Sequence, residues 1–300
     1  MAATRGAFDK TIAPGAYAAY ADEYEQLPAE YTDIFNILTT EKAYEDAIIT
    51  SGLGTMAAKP EGQDVALDRP FQVGSVRMTV LSYGLGYEVS QELMSDDLYG
   101  VVADPASRFL AQAQRDVEER QTWAMLNLAF TTQQAWDGVS LINSAHPLVA
   151  GGTAANAPAA AQAFGFTSLQ ASIERFRLLV NERSLKIRMA PEWVIVPVQL
   201  EWLADEILLS AKKPHEASNT ENVLSAGRIG LKRFTGRYLT SSTAWFTAVA
   251  KARHKLNMFW REKPNMDRDY DKKARVAIFM QFSRFGTATF DWRGVDGSTG

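Results

Sequence analysis

The sequence predicts an α+β fold, and three observations carry that expectation. A 3.6-residue amphipathic period runs over residues 104–128. Runs rich in β-branched and aromatic residues stand on either side of it, at residues 73–89 and from Val276 onward. The second half mixes helical and strand patterns without the regular alternation of a parallel α/β fold.

Residues 1–54 read as an extended N-terminal arm with short helical pieces, because Pro14 and Pro28 interrupt any long helix. The first fifty residues hold Tyr17, Tyr20, Tyr24, Tyr31 and Tyr44 among nine acids. So many aromatics with little core periodicity pack against something, either the chain's own body or a neighbouring subunit. Glycines and prolines then punctuate two β-like runs around the polar stretch EGQDVALDRP, residues 61–70, which reads as a long hairpin over 55–90 with a charged tip. A two-stranded hairpin is marginal alone, so it leans on another surface.

Asp104 as N-cap and Pro105 at the first helical position start the long helix, and Ala106, Leu110, Ala113, Val117, Ala124 and Leu128 form its apolar stripe. At 1.5 Å per residue, about 25 residues make a spine of roughly 40 Å. After a Gly/Ala/Pro-rich loop come a helix over 168–183, a buried strand over 193–196 ended by Pro197, and a helix over 200–211. A polar loop over 212–222 and short elements at 231–239 and 244–249 follow. Residues 276–282 and 288–292 alternate on either side of Gly286 and read as a terminal two-stranded unit.

Three hundred residues, 46% apolar and 22% charged, suit one large or two modest globular domains. No apolar run approaches the roughly 20 residues of a membrane span. The first residues lack the apolar region of a secretory signal. With zero Cys there is no disulfide, thiolate metal site or Cys nucleophile, which fits a cytoplasmic product. The net charge of −4 is not that of a dedicated nucleic-acid binder. It is unevenly placed: residues 1–50 carry nine acids and three bases, a balance of −6, and residues 251–275 carry nine bases and four acids, a balance of +5.

Chemistry-bearing patterns are few. His146, His215 and His254 have no second ligand at helical spacing, so no metal site is expected. His146 beside Ser144 is the pair a hydrolase would use, yet no serine lies in a G-x-S-x-G elbow. Gly84-Leu85-Gly86 lies inside a strand run without a third glycine or a following helix, so it is not a phosphate loop. Asp96 and Asp97 approach the positive N-terminus of the spine helix. No catalytic residue, cofactor site or metal site is predicted. Elaborate protrusions without an active site point to a self-assembling structural protein.

The order of the segments carries a resemblance. YGLGYEVSQELMSDDLYG before a long helix ending in RQTWAMLNLAF, then SAHPLVAGGTAANAP, APEWVIVPVQLEWLADEILLS, TENVL, RYLTSSTAWF and RFGTATFDWRG, resemble the major capsid proteins of tailed bacteriophages, in the Mu-like major head subunit group. The resemblance spans residues 41–294. It implies the tailed-phage capsid fold: an N-arm (1–54), an extended E-loop hairpin (55–90), a peripheral domain on the spine helix (91–189), an axial domain (190–250) and a return to the peripheral domain (251–300). It further implies hexamers and pentamers of an icosahedral shell around double-stranded DNA, held by non-specific contact. A separate scaffolding protein, a portal protein and a decoration protein are the implied partners, with assembly in the host cytoplasm and no membrane. A fused scaffolding domain does not fit before Thr55, and Lys59 is not singled out for crosslinking. On this reading the hairpin tip, Glu61, Asp64, Asp68 and Arg69, meets a neighbouring subunit, and Lys272 and Lys273 meet an acidic arm across subunits. An encapsulin-like nanocompartment is the alternative with the same fold.

Overall fold

The computed structural model describes residues 6–96, 103–213, 220–225 and 229–300, with residues 6–15, 94–95 and 103–105 described by backbone alone. In chain order the elements are α1 (Gly6–Gln26), α2 (Tyr31–Ile34), β1 (Asn36–Thr39), β2 (Tyr44–Thr50), β3 (Gln72–Thr79), β4 (Leu81–Ser90), α3 (Gln91–Asp96) and α4 (Ala103–Asn127). Then come β5 (His146–Pro147), β6 (Thr153–Ala154), α5 (Phe166–Leu178), β7 (Pro191–Pro197), α6 (Glu201–Leu209), β8 (Lys232–Gly236), β9 (Trp245–Val249), β10 (Leu256–Asp271), β11 (Val276–Thr289) and β12 (Val295–Ser298). They fall into two compact units, residues 1–44, 79–122 and 258–287, and residues 45–78, 123–257 and 288–300.

The first unit is built on a four-stranded sheet in the order β1-β10-β11-β4. β11 runs antiparallel to β4, from Val276 opposite Ser90 to Phe285 opposite Leu81. Alternation along β11 buries Ala277, Phe279, Gln281, Ser283 and Phe285 on one face. Leu110 and Ala111 of α4 pack there with Ala16 and Tyr20 of α1, Met266, Ala277 and Phe279. That burial explains one departure from the sequence reading: α1 continues through Pro14 as a helix of 21 residues. A proline inside a helix removes one hydrogen bond, and the packing of the following turns against α4 and β11 offsets it.

The C-terminal strands and the hairpin also differ from the sequence expectation. Residues 276–289 form one strand, not two, because Gly286 stays extended and the strand continues through it, although the in–out alternation breaks there with Phe285 and Gly286 both buried; its hairpin partner is β10, a strand that the charges of its outer half conceal in the sequence. The hairpin limbs are β2 and β3, which form their own two-stranded sheet, so the first limb precedes Ser51. The run 73–89 is two strands. Val80 gives its N–H to the Ala43 carbonyl, and from Leu81 the chain belongs to the four-stranded sheet. Gly84 and Gly86 lie in that strand opposite Phe282 and Met280. A Cβ on Gly84 would stand 2.8 Å from the Phe282 ring, so the glycines make room for cross-strand side chains.

The second unit holds the sheet β12-β9-β7-β8, in which β7 is parallel to β8 and antiparallel to β9. Val194, Val196 and Trp245 of that sheet pack with Leu169 and Ile173 of α5 and with Ala204, Ile207 and Leu208 of α6. The hairpin β2–β3 belongs to this unit. Its Gly74 abuts Trp136, where a Cβ would come within 2.8 Å of the indole.

Candidate assembly surfaces

The hairpin limbs are crosslinked by a bidentate pair, Arg77 Nε to Asp46 Oδ1 at 2.7 Å and Nη2 to Oδ2 at 2.8 Å. Beyond them the loop 51–71 is tied at its root. The Ser51 N–H donates to the Phe71 carbonyl at 2.9 Å, and the Phe71 N–H returns to Ser51 Oγ at 3.2 Å. Gly54 gives its N–H to Asp68 Oδ2 at 2.7 Å. Arg183, from the turn after α5, reaches Asp68 Oδ1 and the Arg69 carbonyl, both at 3.4 Å, and lies over the Phe71 ring. The backbone N–H groups of Gly54 and Arg69, with the Arg183 guanidinium, hold the Asp68 carboxyl below its ordinary range.

This separates the four residues assigned to the tip. Glu61 and Asp64 stand exposed at the end of the loop, whereas Asp68 and Arg69 belong to its root, where Asp68 has partners within the subunit. Composition had described the stretch as polar, and it hid the apolar side chains in it. Met56 is 96% exposed and Leu67 93%, with Leu53 and Val65 more than half exposed. A hydropathy reading by single residues would have flagged them, since the polar neighbours averaged them away. Trp202 on α6 is 82% exposed, and Val198 and Leu209 are exposed on the same stretch of chain.

Lys272 and Lys273 are exposed in the turn joining β10 to β11. Asp271 Oδ1 accepts the N–H groups of Lys273 and Ala274, and Arg275, at φ 56°, closes the turn near Glu92. The tyrosines of the arm are engaged within the subunit. Tyr24 and Tyr31 donate their hydroxyls to buried Glu118 of α4 at 2.7 and 3.1 Å, and Gln114 and Arg115 donate to the same carboxylate at 2.7 Å. Glu119 accepts the N–H groups of Glu30 and Tyr31, which start α2. Burial and the Glu118 charge push the hydroxyls of Tyr20, Tyr24 and Tyr31 above their ordinary range. Gln114 Oε1 accepts in turn from Gln281 and Ser283, so a polar network runs from the arm through α4 to β11. Of the two partners left open for these tyrosines, the chain's own body is the one they take.

His146 is buried, its ring stacked on Trp292 at 4.0 Å between centroids. Nδ1 meets Asp137 Oδ2 at 2.6 Å and Nε2 meets Asn156 Oδ1 at 3.0 Å. The Asn156 amide donates to the carbonyls of Leu141, Trp292 and Val295, which fixes its oxygen as the acceptor for Nε2. Ser144 is exposed, and the ring nitrogen a hydrolase would turn toward it is engaged by Asn156. His254 is buried and accepts the Leu256 N–H at Nδ1. His215 and Asp97 lie outside the described residues, as do the side chains of Asp104 and Pro105. Among the described residues no group of three or more His, Cys, Asp or Glu is placed to hold a metal ion, and no helix is long and apolar enough to cross a membrane.

Comparisons with known proteins agree with this arrangement. A family model described as phage capsid protein matches residues 73–295. No curated protein matches significantly. Among solved structures, the chain is similar to the procapsid subunit of bacteriophage JBD30, at TM-score 0.54 and 13% identity, over 99% of this chain and 76% of that one. It is similar to the capsid subunit of a native GTA particle, at TM-score 0.58 and 13% identity, over 90% and 89%. A virus-like particle from Pyrococcus furiosus is similar at TM-score 0.53 and 9% identity, over 95% and 98%. At these identities the likeness speaks for the fold, which is that of tailed-phage capsid subunits. The family is shown by the match over residues 73–295, and the chain belongs to the phage capsid protein family.

Proposed function

We propose that this chain is the major head protein of a tailed bacteriophage, of the Mu-like head subunit type, whose copies form the hexamers and pentamers of an icosahedral shell around double-stranded DNA. The observation that carries the reading is the family match over residues 73–295. The role is structural. The E-loop function falls to the hairpin β2–β3, with Glu61 and Asp64 at its tip as inter-subunit contacts. Lys272 and Lys273 supply positive charge to a neighbouring subunit. The peripheral segment 91–189, the axial segment 190–250 and the return over 251–300 are part of the same proposal. So are a separate scaffolding protein, a portal, a decoration protein and assembly in the host cytoplasm.

Electron microscopy of the purified protein, alone and with candidate assembly partners, tests the reading. Closed shells are expected, and a strict monomer under every condition contradicts it. A shell enclosing protein cargo is the second reading, favoured by the likeness to the virus-like particle over nearly the whole of both chains. Double-stranded DNA inside purified particles supports the first, and nucleic-acid-free particles with a protein load support the second.

A further inference from the structure

Met56 and Leu67 sit on opposite limbs of the loop, two residues and one residue to the tip side of the Gly54–Asp68 hydrogen bond that closes its root. Arg183 grips that root from the subunit body. The two most exposed apolar side chains of the loop are therefore carried on its best-held backbone, so docking them orders little additional chain. From residue 55 to residue 71 every position is exposed. Those seventeen positions approach the roughly 20–30 residues that one side of a standard interface contributes, so the loop can supply the larger part of one side of a contact with another copy.

The same chain offers a receptor. At the C-terminal end of α4 a pocket of about 220 Å³ is walled by Leu126, Phe130, Leu239, Ala244 and Phe246. Phe130 stacks on Phe246, which stiffens one wall. The rim amide of Asn127 is engaged by the Tyr238 carbonyl and the Thr240 N–H. With its polar rim served from within, the pocket suits an aliphatic guest, and its volume exceeds the roughly 150 Å³ that holds a benzene-sized one. A ring of copies requires two different complementary patches on each subunit, and a knob and a hole on one chain meet that requirement.

We infer that Leu67, flanked by Met56, docks into the pocket of Leu126, Phe130, Leu239 and Phe246 on a second copy of this chain. The inference rests on the shell reading. The chain has no cysteine, so crosslinking is free of background. Leu67→Cys subunits are assembled together with Thr131→Cys subunits, Thr131 being an exposed residue of the pocket, and treated with a short bismaleimide linker. Covalent dimers are expected in the mixture and not with either variant alone, and a chain carrying both changes should give a ladder, because a head-to-tail contact propagates. In parallel, Met56→Asp with Leu67→Asp should raise the protein concentration needed for assembly at least about tenfold and leave the melting of the dissociated subunit unchanged. Normal shells without mixture-specific dimers, or assembly of the aspartate variant at the parental concentration, overturn the docking and leave the shell reading intact. Failure of the parent chain to form particles overturns both.

Discussion

Two segments near the N-terminus read alike in the sequence and end differently in the structure. The tyrosine-rich arm and the hairpin loop both carry apolar side chains among charges, and neither has a core period of its own. The arm is taken up by its own subunit, with Tyr20 and Tyr31 buried and two hydroxyls gathered on Glu118. The loop has only its root held, with Met56 and Leu67 left in solvent. The arm's aromatics have a polar end that a buried carboxylate recognises, and the Tyr20 ring packs with Leu110 and Ala111 of α4. The loop's aliphatic side chains can gain only by losing water, and among the described residues nothing of their own subunit covers them. The arm is completed within its own subunit; the loop, on the proposed reading, is completed by another.

The sharpest way to break the contrast is at Glu118. Glu118→Ala leaves the Tyr24 and Tyr31 hydroxyls and the Gln114 amide without their acceptor in a buried site and removes the partner of Arg115. Urea unfolding of the subunit should show a loss of about 3–5 kcal/mol. A loss under about 1 kcal/mol would mean that water replaces the carboxylate and that the arm is not anchored by it.

Gly74→Ala comes next. The added methyl meets the Trp136 ring at 2.8 Å, and overpacking of this kind costs about 1–3 kcal/mol. A thermal melt of the variant at the parental temperature would show that the hairpin base yields freely.

Arg183→Ala is a smaller change in stability, under about 1 kcal/mol, because its pair with Asp68 is partly exposed. Its effect belongs to the loop: hydrogen exchange at the Gly54 N–H should accelerate while the sheet β12-β9-β7-β8 keeps its protection. Unchanged exchange at Gly54 would show that Asp68 holds the root without the arginine.

The smallest effect is that of Lys272→Glu with Lys273→Glu. Exposed charges contribute under about 1 kcal/mol each and are screened by salt, and Glu23 and Asp46 of the acidic segment already have partners, Arg108 with Gln112 and Arg77. Shell dissociation should become less sensitive to ionic strength in the variant. Equal sensitivity in variant and parent would remove the two lysines from the contact.

What the sequence revealed follows from where the side chains point. The extent of the helix Ala103–Asn127 was legible to within two residues at its start and one at its end, but its buried face was not: of the stripe read from the sequence only Leu110 is buried and Leu128 is exposed, because Gln114, Glu118, Glu119 and Thr122 face inward on hydrogen bonds that a hydropathy period does not register. β10 was not, because its outer half presents Glu262, Lys263, Asp267 and Asp269 to solvent and the charges obscure the buried Leu256–Trp260 stretch. The hairpin register was lost at Val80, where a continuous β-rich run changes sheets with no turn residue to mark the step. α1 was missed because proline argues locally and burial of Ala16 and Tyr20 argues at long range. For the assembly surfaces, the charged tip at Glu61 and Asp64 was legible, while exposure of Met56 and Leu67 is a tertiary property that composition does not carry.

Glu61 offers the most direct test of the claim that the loop is completed only by a neighbour. Trypsin is nearly blind there, since Lys59 and Arg69 each precede proline, so a glutamate-specific protease is the probe. Fast cleavage at Glu61 in dissociated subunits and slow cleavage in assembled shells is the expected pair of results. Equal protection in both states would show that the loop folds onto its own subunit, and would contradict the account.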